Sequence, residues 1–139
     1  MAEFSLSISI EDTSDCPSKE RVRALTNAVF DDVGITWSSI GVVLTDHQTV
    51  LELNKSWLQH DYITDVLSFL LEDNPKALEG EVYVDIETAR ERHVEFSTSP
   101  ALEIERYIVH GLLHLAGYDD STDEERDVMR VLENQYLQR

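Results

Sequence analysis

The fold of the C-terminal part of the chain is decided by residues 100–125, PALEIERYIVHGLLHLAGYDDSTDEE. This stretch also contains the candidate functional residues. A helix is predicted over residues 101–116. Pro100 lies just before it, where the missing N–H of proline would have had no helical partner. Gly117 follows as the left-handed residue that commonly ends a helix. The sequence therefore places a defined helix directly before an acidic turn.

His110 and His114 stand four residues apart on this predicted helix, so their imidazoles share one face and could hold one metal ion. The spacing alone is a weak signal because chance also produces it. The stronger signal is that Gly117 ends the helix at once and lets Asp120 fold back over the same face. Two histidines and one carboxylate leave a fourth position open for water, as in catalytic zinc sites. We predict that His110, His114 and Asp120 bind one divalent ion.

A structural interpretation of the same residues stays open. In it, His110 and His114 are partly buried helix residues, and Asp119 and Asp120 cap the next helix. Asp119 could also orient an imidazole through a hydrogen bond. A bound ion would instead lower the pKa of its water from about 15.7 towards 7 and polarise a phosphoryl or carbonyl oxygen. The metal interpretation therefore predicts a hydrolase.

Composition restricts the class of protein. The length of 139 residues suits one domain, so residues 1–139 are predicted to form a single metal-dependent hydrolase domain. Cys16 is the sole cysteine, which excludes an intramolecular disulfide and a thiolate zinc site. No apolar run approaches the roughly 20 residues that span a bilayer, and residues 1–10 lack a secretory signal pattern. We expect a cytoplasmic protein without membrane contact.

The formal net charge of −17 argues against broad attraction to nucleic acid, because phosphate binding requires Lys and Arg. An RNA substrate would need a locally basic face, and DNA is not an expected partner. Arg90, Arg92 and His93 form the best basic cluster. Glutamates lie among them, so ion pairs within a helix are the favoured interpretation of this cluster.

Hydrophobic periodicity outside the histidine helix predicts alternating strands and helices. Strands are predicted at residues 4–10, 40–44, 63–71 and 81–86, with the last two forming a hairpin. Helices are predicted at residues 18–33, 45–57 and 88–96, and after residue 121.

Two details of these helices are specific enough to test. Thr45 and Gln48 are predicted to form a capping box at the start of the second helix. Ser121 with Glu124, or Thr122 with Glu125, is predicted to cap the last helix. The buried face of that helix is predicted to carry Val128, Met129, Leu132 and Tyr136.

Proteolysis is an alternative to phosphodiester hydrolysis. Zinc proteases with an H-E-x-x-H motif carry a Glu directly after the first His as general base. Gly111 occupies that position here. The frame of His110, His114, Gly117 and Asp120 matches a metzincin-like spacing, but the group that would deprotonate the water is missing. A metalloprotease is therefore the less favoured hypothesis.

Three blocks of this sequence resemble one known family. HGLLHLAGYD (110–119), followed by an acidic helix with Met129 and Glu133, resembles the signature of the YbeY rRNA maturation factors, which are bacterial metal-dependent endoribonucleases. LNKSWLQHDYITDVLSF (53–69) and GEVYVDIETARER (80–92) resemble two further blocks of that family. The resemblance covers essentially the whole chain.

The resemblance implies an α+β fold with a small mixed β-sheet of about four strands flanked by helices. It implies one bound zinc ion and endoribonuclease action on single-stranded RNA, with metal-bound water attacking a phosphodiester. The implied role is 16S rRNA maturation and ribosome quality control. The implied partners are rRNA, proteins of the small ribosomal subunit and the GTPase Era.

Two residues depart from the family pattern. The third ligand is usually His where this chain has Asp120, and a conserved Arg falls at Leu58. A carboxylate adds negative charge and shifts preference towards harder ions such as Mn²⁺. Leu58 cannot clamp a phosphate or offset transition-state charge, so any catalytic side chain stays unknown. A ribosome-assembly factor that binds metal but cleaves poorly is the resulting alternative.

The second block supplies the candidate substrate groove. Lys55 and His60 could partly replace the missing Arg, with solvated surface as the equally weighted alternative. The resemblance places Thr64, Asp65 and Ser68 in the same groove. Local chemistry favours strand-end hydrogen bonding for Thr64 and Asp65.

Overall fold

The computed structural model describes residues 2–57, 65–95 and 97–139. Its elements, in chain order, are β1 (Glu3–Ile8), α1 (Lys19–Val33), β2 (Trp37–Thr45), α2 (His47–Trp57), β3 (Val66–Glu72), β4 (Leu78–Asp85), α3 (Ile86–Arg92), α4 (Pro100–Leu115) and α5 (Asp123–Leu137). The expected α+β class is confirmed.

The strands of the described ranges form one four-stranded sheet in the order β1-β2-β4-β3. β1, β2 and β4 run parallel, whereas β3 runs antiparallel to β4 as the predicted hairpin partner. The sheet is therefore mixed. Its parallel register places Thr45 beside Asp85 at the carboxyl ends of β2 and β4. α3 begins immediately after Asp85, so this edge of the sheet carries polar side chains.

α4 is the helix around which the core is built. Its apolar residues Ile104, Ile108 and Leu112 are completely buried. Gly111 marks its closest approach to the sheet, since a Cβ at this position would lie 2.9 Å from Val66 Cγ1 and collide with Val82. Strands β3 and β4 therefore set the position of α4, and with it the position of the histidines.

Local sequence signals place both ends of α4. The Ser99 side chain accepts a hydrogen bond from the Leu102 N–H, and Pro100 begins the helix. Gly117 follows the helix with a φ of 104°, a conformation that strongly favours glycine. No helix in residues 2–57, 65–95 and 97–139 is long and apolar enough to cross a bilayer.

The predicted capping box of α2 is wrong. Asp46 Oδ1 accepts the Thr49 N–H at 2.7 Å and caps the helix, while Gln48 Nε2 donates to Glu52. The Thr45 hydroxyl accepts a hydrogen bond from Ser9 Oγ at 2.8 Å. Thr45 is unavailable as a cap because it is the last residue of β2.

α5 begins with the Thr122–Glu125 capping box, one of the two predicted pairs. The predicted buried face is partly wrong. Met129 and Tyr136 are buried, but Val128 is 52% exposed and Glu133 is buried. Helical periodicity assigned Val128 to the buried face and left out Glu133, which is buried because its carboxylate meets Arg106 and His110 of α4.

Candidate metal centre

His110, His114 and Asp120 converge on one point. The two Nε2 atoms lie 3.1 Å apart, and Asp120 Oδ2 lies 3.2 Å from His110 Nε2 and 3.5 Å from His114 Nε2. The histidines come from the last two turns of α4, and Asp120 comes from the turn after Gly117. The predicted folding-back of Asp120 onto the helix face is therefore present.

The three donor atoms match the coordination sphere of a small divalent ion. Metal–ligand bonds of 2.0–2.1 Å in a tetrahedral shell separate the donors by about 3.3 Å. The three observed separations, 3.1, 3.2 and 3.5 Å, surround this value. Among the described residues, these three form the one group of His, Cys, Asp and Glu with such convergence. They could hold a divalent metal ion through two nitrogens and one oxygen.

A buried polar chain supports His110 from behind. Glu133 Oε2 lies 2.8 Å from His110 Nδ1, and the Arg106 guanidinium donates to Glu133 Oε1 at 3.3 Å. Arg106 also lies 3.5 Å from Glu103, which accepts a hydrogen bond from the Thr98 hydroxyl. With Nδ1–H donating to the carboxylate, the His110 ring presents Nε2 as the free donor to a metal.

Electrostatics at His110 favour a cation. Burial by itself lowers its pKa, but the hydrogen bond and charge of Glu133, together with Asp120, outweigh that effect and leave the pKa raised. A proton and a metal ion therefore compete for the same negative environment.

The turn that carries Asp120 is ordered by its neighbours. Asp119 Oδ1 accepts the Asp120 N–H at 2.8 Å, so Asp119 shapes the turn. The Arg126 guanidinium donates to the Asp120 carbonyl oxygen at 3.1 Å and also pairs with Asp123. Thr122 caps α5, so the alternative in which Asp119 and Asp120 cap that helix is wrong.

The metal centre opens into a cleft of about 380 Å³. The cleft is formed where α4 and α5 meet the start of β3 and the end of α3. Its described lining residues are Asp65, Val66, Arg92, Glu103, Arg106, Tyr107, His110, Asp120, Arg126, Met129, Arg130 and Glu133. Arginines from three different helices thus line the same cleft as two of the candidate ligands, His110 and Asp120.

Asp65 forms the opposite polar part of this cleft. Burial raises the pKa of its carboxyl group, although Arg92 Nη1, 3.1 Å away, acts in the other direction. The Tyr107 hydroxyl is also buried beside Asp65, and its pKa is raised by burial and by that negative charge. The cleft therefore holds a carboxyl group that takes up a proton more readily than an exposed aspartate.

The predicted groove residues do not all lie in the cleft. Asp65 lines it, whereas Ser68 Oγ donates to the Gly111 carbonyl at 2.8 Å and thereby fastens β3 to α4. Lys55 is exposed in the last turn of α2. Leu58, His60 and Thr64 lie outside the described residues.

The residues of the predicted basic cluster at the end of α3 have separate partners, most of them outside that helix. Arg90 donates to the Asp15 carboxylate at 2.6 and 2.7 Å, and His93 Nδ1 lies 2.9 Å from the Thr98 carbonyl oxygen. Arg92 pairs with Glu95 in the same stretch, as expected, and with Asp65 across the cleft.

Sequence reasoning missed the arginines of α4 and α5 and the role of Glu133. Arg126, Arg130 and Glu133 follow one another at intervals of four and three residues. This helical spacing could have placed them on one side of α5. Their common cleft with His110 depends on how α5 packs against α4, which a helical pattern does not specify.

With this geometry described, comparisons with known proteins decide the family. The family model for "Endoribonuclease YbeY" matches residues 7–139. The chain belongs to the YbeY endoribonuclease family.

Individual relatives agree with this YbeY assignment. A protein of Salinibacter ruber described as "Endoribonuclease YbeY" is 48% identical, with 97% of this chain and 92% of that protein covered. A protein of Parabacteroides distasonis with the same description is 33% identical, with 86% and 83% covered. The solution structure of TM1509 from Thermotoga maritima matches with a TM-score of 0.62 at 26% identity, covering 99% of this chain and 87% of that one.

Proposed function

We propose that this protein is a metal-dependent endoribonuclease that hydrolyses phosphodiester bonds of single-stranded rRNA regions. The observation that carries the proposal is the convergence of His110 Nε2, His114 Nε2 and Asp120 Oδ2 within 3.5 Å of one another at the edge of an open cleft. Membership of the YbeY family supports RNA as the substrate class. Residues 1–139 are proposed to act as one domain.

The chain's own residues would prepare the site in two ways. His110, His114 and Asp120 would hold the ion, which is proposed to be Zn²⁺, with Mn²⁺ as the alternative because Asp120 is a hard ligand. Glu133 would keep His110 in the required tautomer. When bound, the ion would lower the pKa of a water molecule and polarise a phosphoryl oxygen.

Asp65 is the described group best suited to proton transfer in this cleft. Its raised pKa brings it closer to the range in which a carboxyl group can exchange protons during turnover. Arg92 and Tyr107 hold it at the cleft wall. Thr64 and Ser68 remain proposed groove residues on the strength of the family resemblance, and Lys55 and His60 remain proposed as partial replacements for the missing Arg.

The wider biological role follows the family. We propose 16S rRNA as the substrate, with ribosome quality control as the associated role in the cytoplasm. Small-subunit ribosomal proteins and the GTPase Era are the proposed protein partners. Membranes and DNA are not proposed as partners.

A reconstitution assay tests the proposal. Purified protein, loaded separately with Zn²⁺ or Mn²⁺, is incubated with structured and single-stranded 16S rRNA fragments, beside His114→Ala. Metal-dependent cleavage by the wild type and its loss in His114→Ala are expected. Equal cleavage by both proteins, or none by either, would overturn the nuclease proposal, and cleavage of casein without RNA cleavage would favour the protease alternative.

Leu58 supports a second candidate, a metal-binding ribosome-assembly factor with little nuclease activity. The family's Arg is absent at this position. Under this alternative, wild-type protein binds rRNA without cutting it, and Leu58→Arg introduces or raises cleavage. Leu58→Lys is a matched control, because it adds the charge without the bidentate geometry of a guanidinium group.

A further inference from the structure

Several arginines of this protein lie where the candidate metal centre opens. All eleven Lys and Arg residues lie in the described ranges, and four of them, Arg92, Arg106, Arg126 and Arg130, line the cleft. The chain has a formal net charge of −17, and four carboxylate residues, Asp65, Glu103, Asp120 and Glu133, balance these arginines within the same lining. A polyanion would therefore meet positive charge where arginines of the cleft face solvent.

These four arginines have different surroundings. Arg106 is 8% exposed and is held between the buried carboxylates of Glu103 and Glu133, so its charge is already compensated inside the fold. Arg92 pairs with Asp65 and Glu95. The two arginines of α5 are exposed where they line the cleft, and Arg126 also pairs with Asp123.

Arg126 and Arg130 are four residues apart on α5 and share one face of that helix. Met129 and Glu133 lie on the same side, and Glu133 contacts His110 directly. Arg126 is bound to the Asp120 carbonyl oxygen, which places it next to the third candidate ligand. The pair Arg126 and Arg130, here called the α5 arginine pair, therefore continues outward from the metal centre.

We infer that the α5 arginine pair binds the backbone phosphates of single-stranded RNA beside the metal centre, with Arg130 as the outer contact. This inference rests on the proposed function and names the residues that hold its substrate. A guanidinium fork can bind two phosphate oxygens at once and is favoured at such sites. The arrangement would supply, from α5, positive charge that Leu58 cannot supply from the second sequence block.

Arg130 is the residue to test, because Arg126 also orders the Asp120 turn. Arg130→Gln removes the charge and Arg130→Lys keeps it without the planar fork. Arg23→Gln is the matched control, because Arg23 is an exposed helix arginine on α1, outside the cleft lining. Metal content by elemental analysis and the melting temperature show whether each variant keeps its fold and its metal centre.

The measurement is binding of the metal-loaded protein to a labelled single-stranded RNA oligonucleotide. Stopped-flow fluorescence anisotropy is read before cleavage and repeated over a series of salt concentrations. Arg130→Gln is expected to weaken binding by about 10-fold and to reduce the slope of log K against log salt by about 0.7, the value of one phosphate contact on a single strand. Arg130→Lys should keep the slope and lose part of the affinity, while Arg23→Gln should match the wild type.

The outcomes separate this inference from the proposed function. If the wild type cleaves RNA but Arg130→Gln binds with unchanged affinity and salt slope, the inference is wrong and the nuclease proposal stands. If Arg130→Gln weakens binding as expected but the wild type does not cleave, the phosphate contact stands and the nuclease proposal fails. An equal loss in Arg23→Gln would assign the effect to net charge and overturn the inference.

Discussion

His110 and His47 each have a carboxylate beside Nδ1, but they differ in the groups near the other side of the ring. His110 Nδ1 lies 2.8 Å from Glu133 Oε2, and His47 Nδ1 lies 2.6 Å from the buried Asp85 Oδ2. Of these two histidines, His110 has an Nε2 that meets a second imidazole and a carboxylate, and His47 belongs to no such group in the described ranges. At His47 the carboxylate also accepts from the Thr88 hydroxyl and joins α2 to α3. A carboxylate behind a histidine is therefore insufficient to define a metal site, and convergence at Nε2 decides it.

Removing a converging ligand should produce the largest effect. His114→Ala is expected to weaken metal binding by more than about 100-fold, since loss of an outer carboxylate partner alone costs about 10- to 100-fold. Asp120→Ala should also weaken metal binding, whereas His47→Ala should retain the metal. Elemental analysis of the dialysed proteins measures this, and full retention by His114→Ala would refute the proposed ligand set.

Glu133→Gln should have the next largest effect, because the amide carries no charge and no longer fixes the His110 tautomer as strongly. Metal affinity is expected to fall by about 10- to 100-fold. Asp127→Asn, on an exposed position of the same helix, is the control and should bind metal like the wild type. Competition with a chelator gives the affinities, and equal values for both variants would show that the carboxylate behind His110 is dispensable.

Gly111→Ala tests how the sheet positions His110 without touching either histidine. The added Cβ would meet Val66 and Val82 of the adjacent strands, so α4 must shift. Overpacking of this kind destabilises proteins by about 1–3 kcal/mol. Denaturant unfolding measures the change, with Ala116→Gly as a comparison at the helix end. A variant as stable as the wild type would show that α4 can move away from the sheet at no cost.

Asp85→Asn should have the smallest effect on the candidate metal centre, with its changes at His47 and at the start of α3, where Asp85 accepts the Thr88 N–H. The hydrogen bond that the His47 ring donates to Asp85 is the main cause of the raised pKa of His47, so that pKa should fall towards 6.5 in the variant. In the wild type, the raised pKa contributes stability below pH 6.5 that is lost as pH rises through the folded-state pKa. NMR titration of the His47 ring measures both proteins. Glu91→Gln should lower the pKa of His47 less than Asp85→Asn does. An equal shift in both variants would show that Asp85 is not the main cause of the raised pKa.

Local sequence determined much of the segment that carries the candidate metal ligands. The spacing of His110 and His114, the glycine after the helix and the carboxylate three residues later all act within about ten residues of chain. Helical geometry and the left-handed conformation of Gly117 then follow without reference to the rest of the molecule. The β3–β4 hairpin was predictable for the same reason, since its strands are close in sequence.

Only the tertiary structure determines which side chains contact that segment and stabilise it. Glu133 and Arg106 are separated by 27 residues, and Asp65 and Arg92 by the same number, so no short-range pattern pairs them. The packing of α4 on the sheet through Gly111, and of α5 on α4, brings these charges together. Periodicity identified which residues share a helix face, but the contents of the cleft depend on contacts between elements that are distant along the chain.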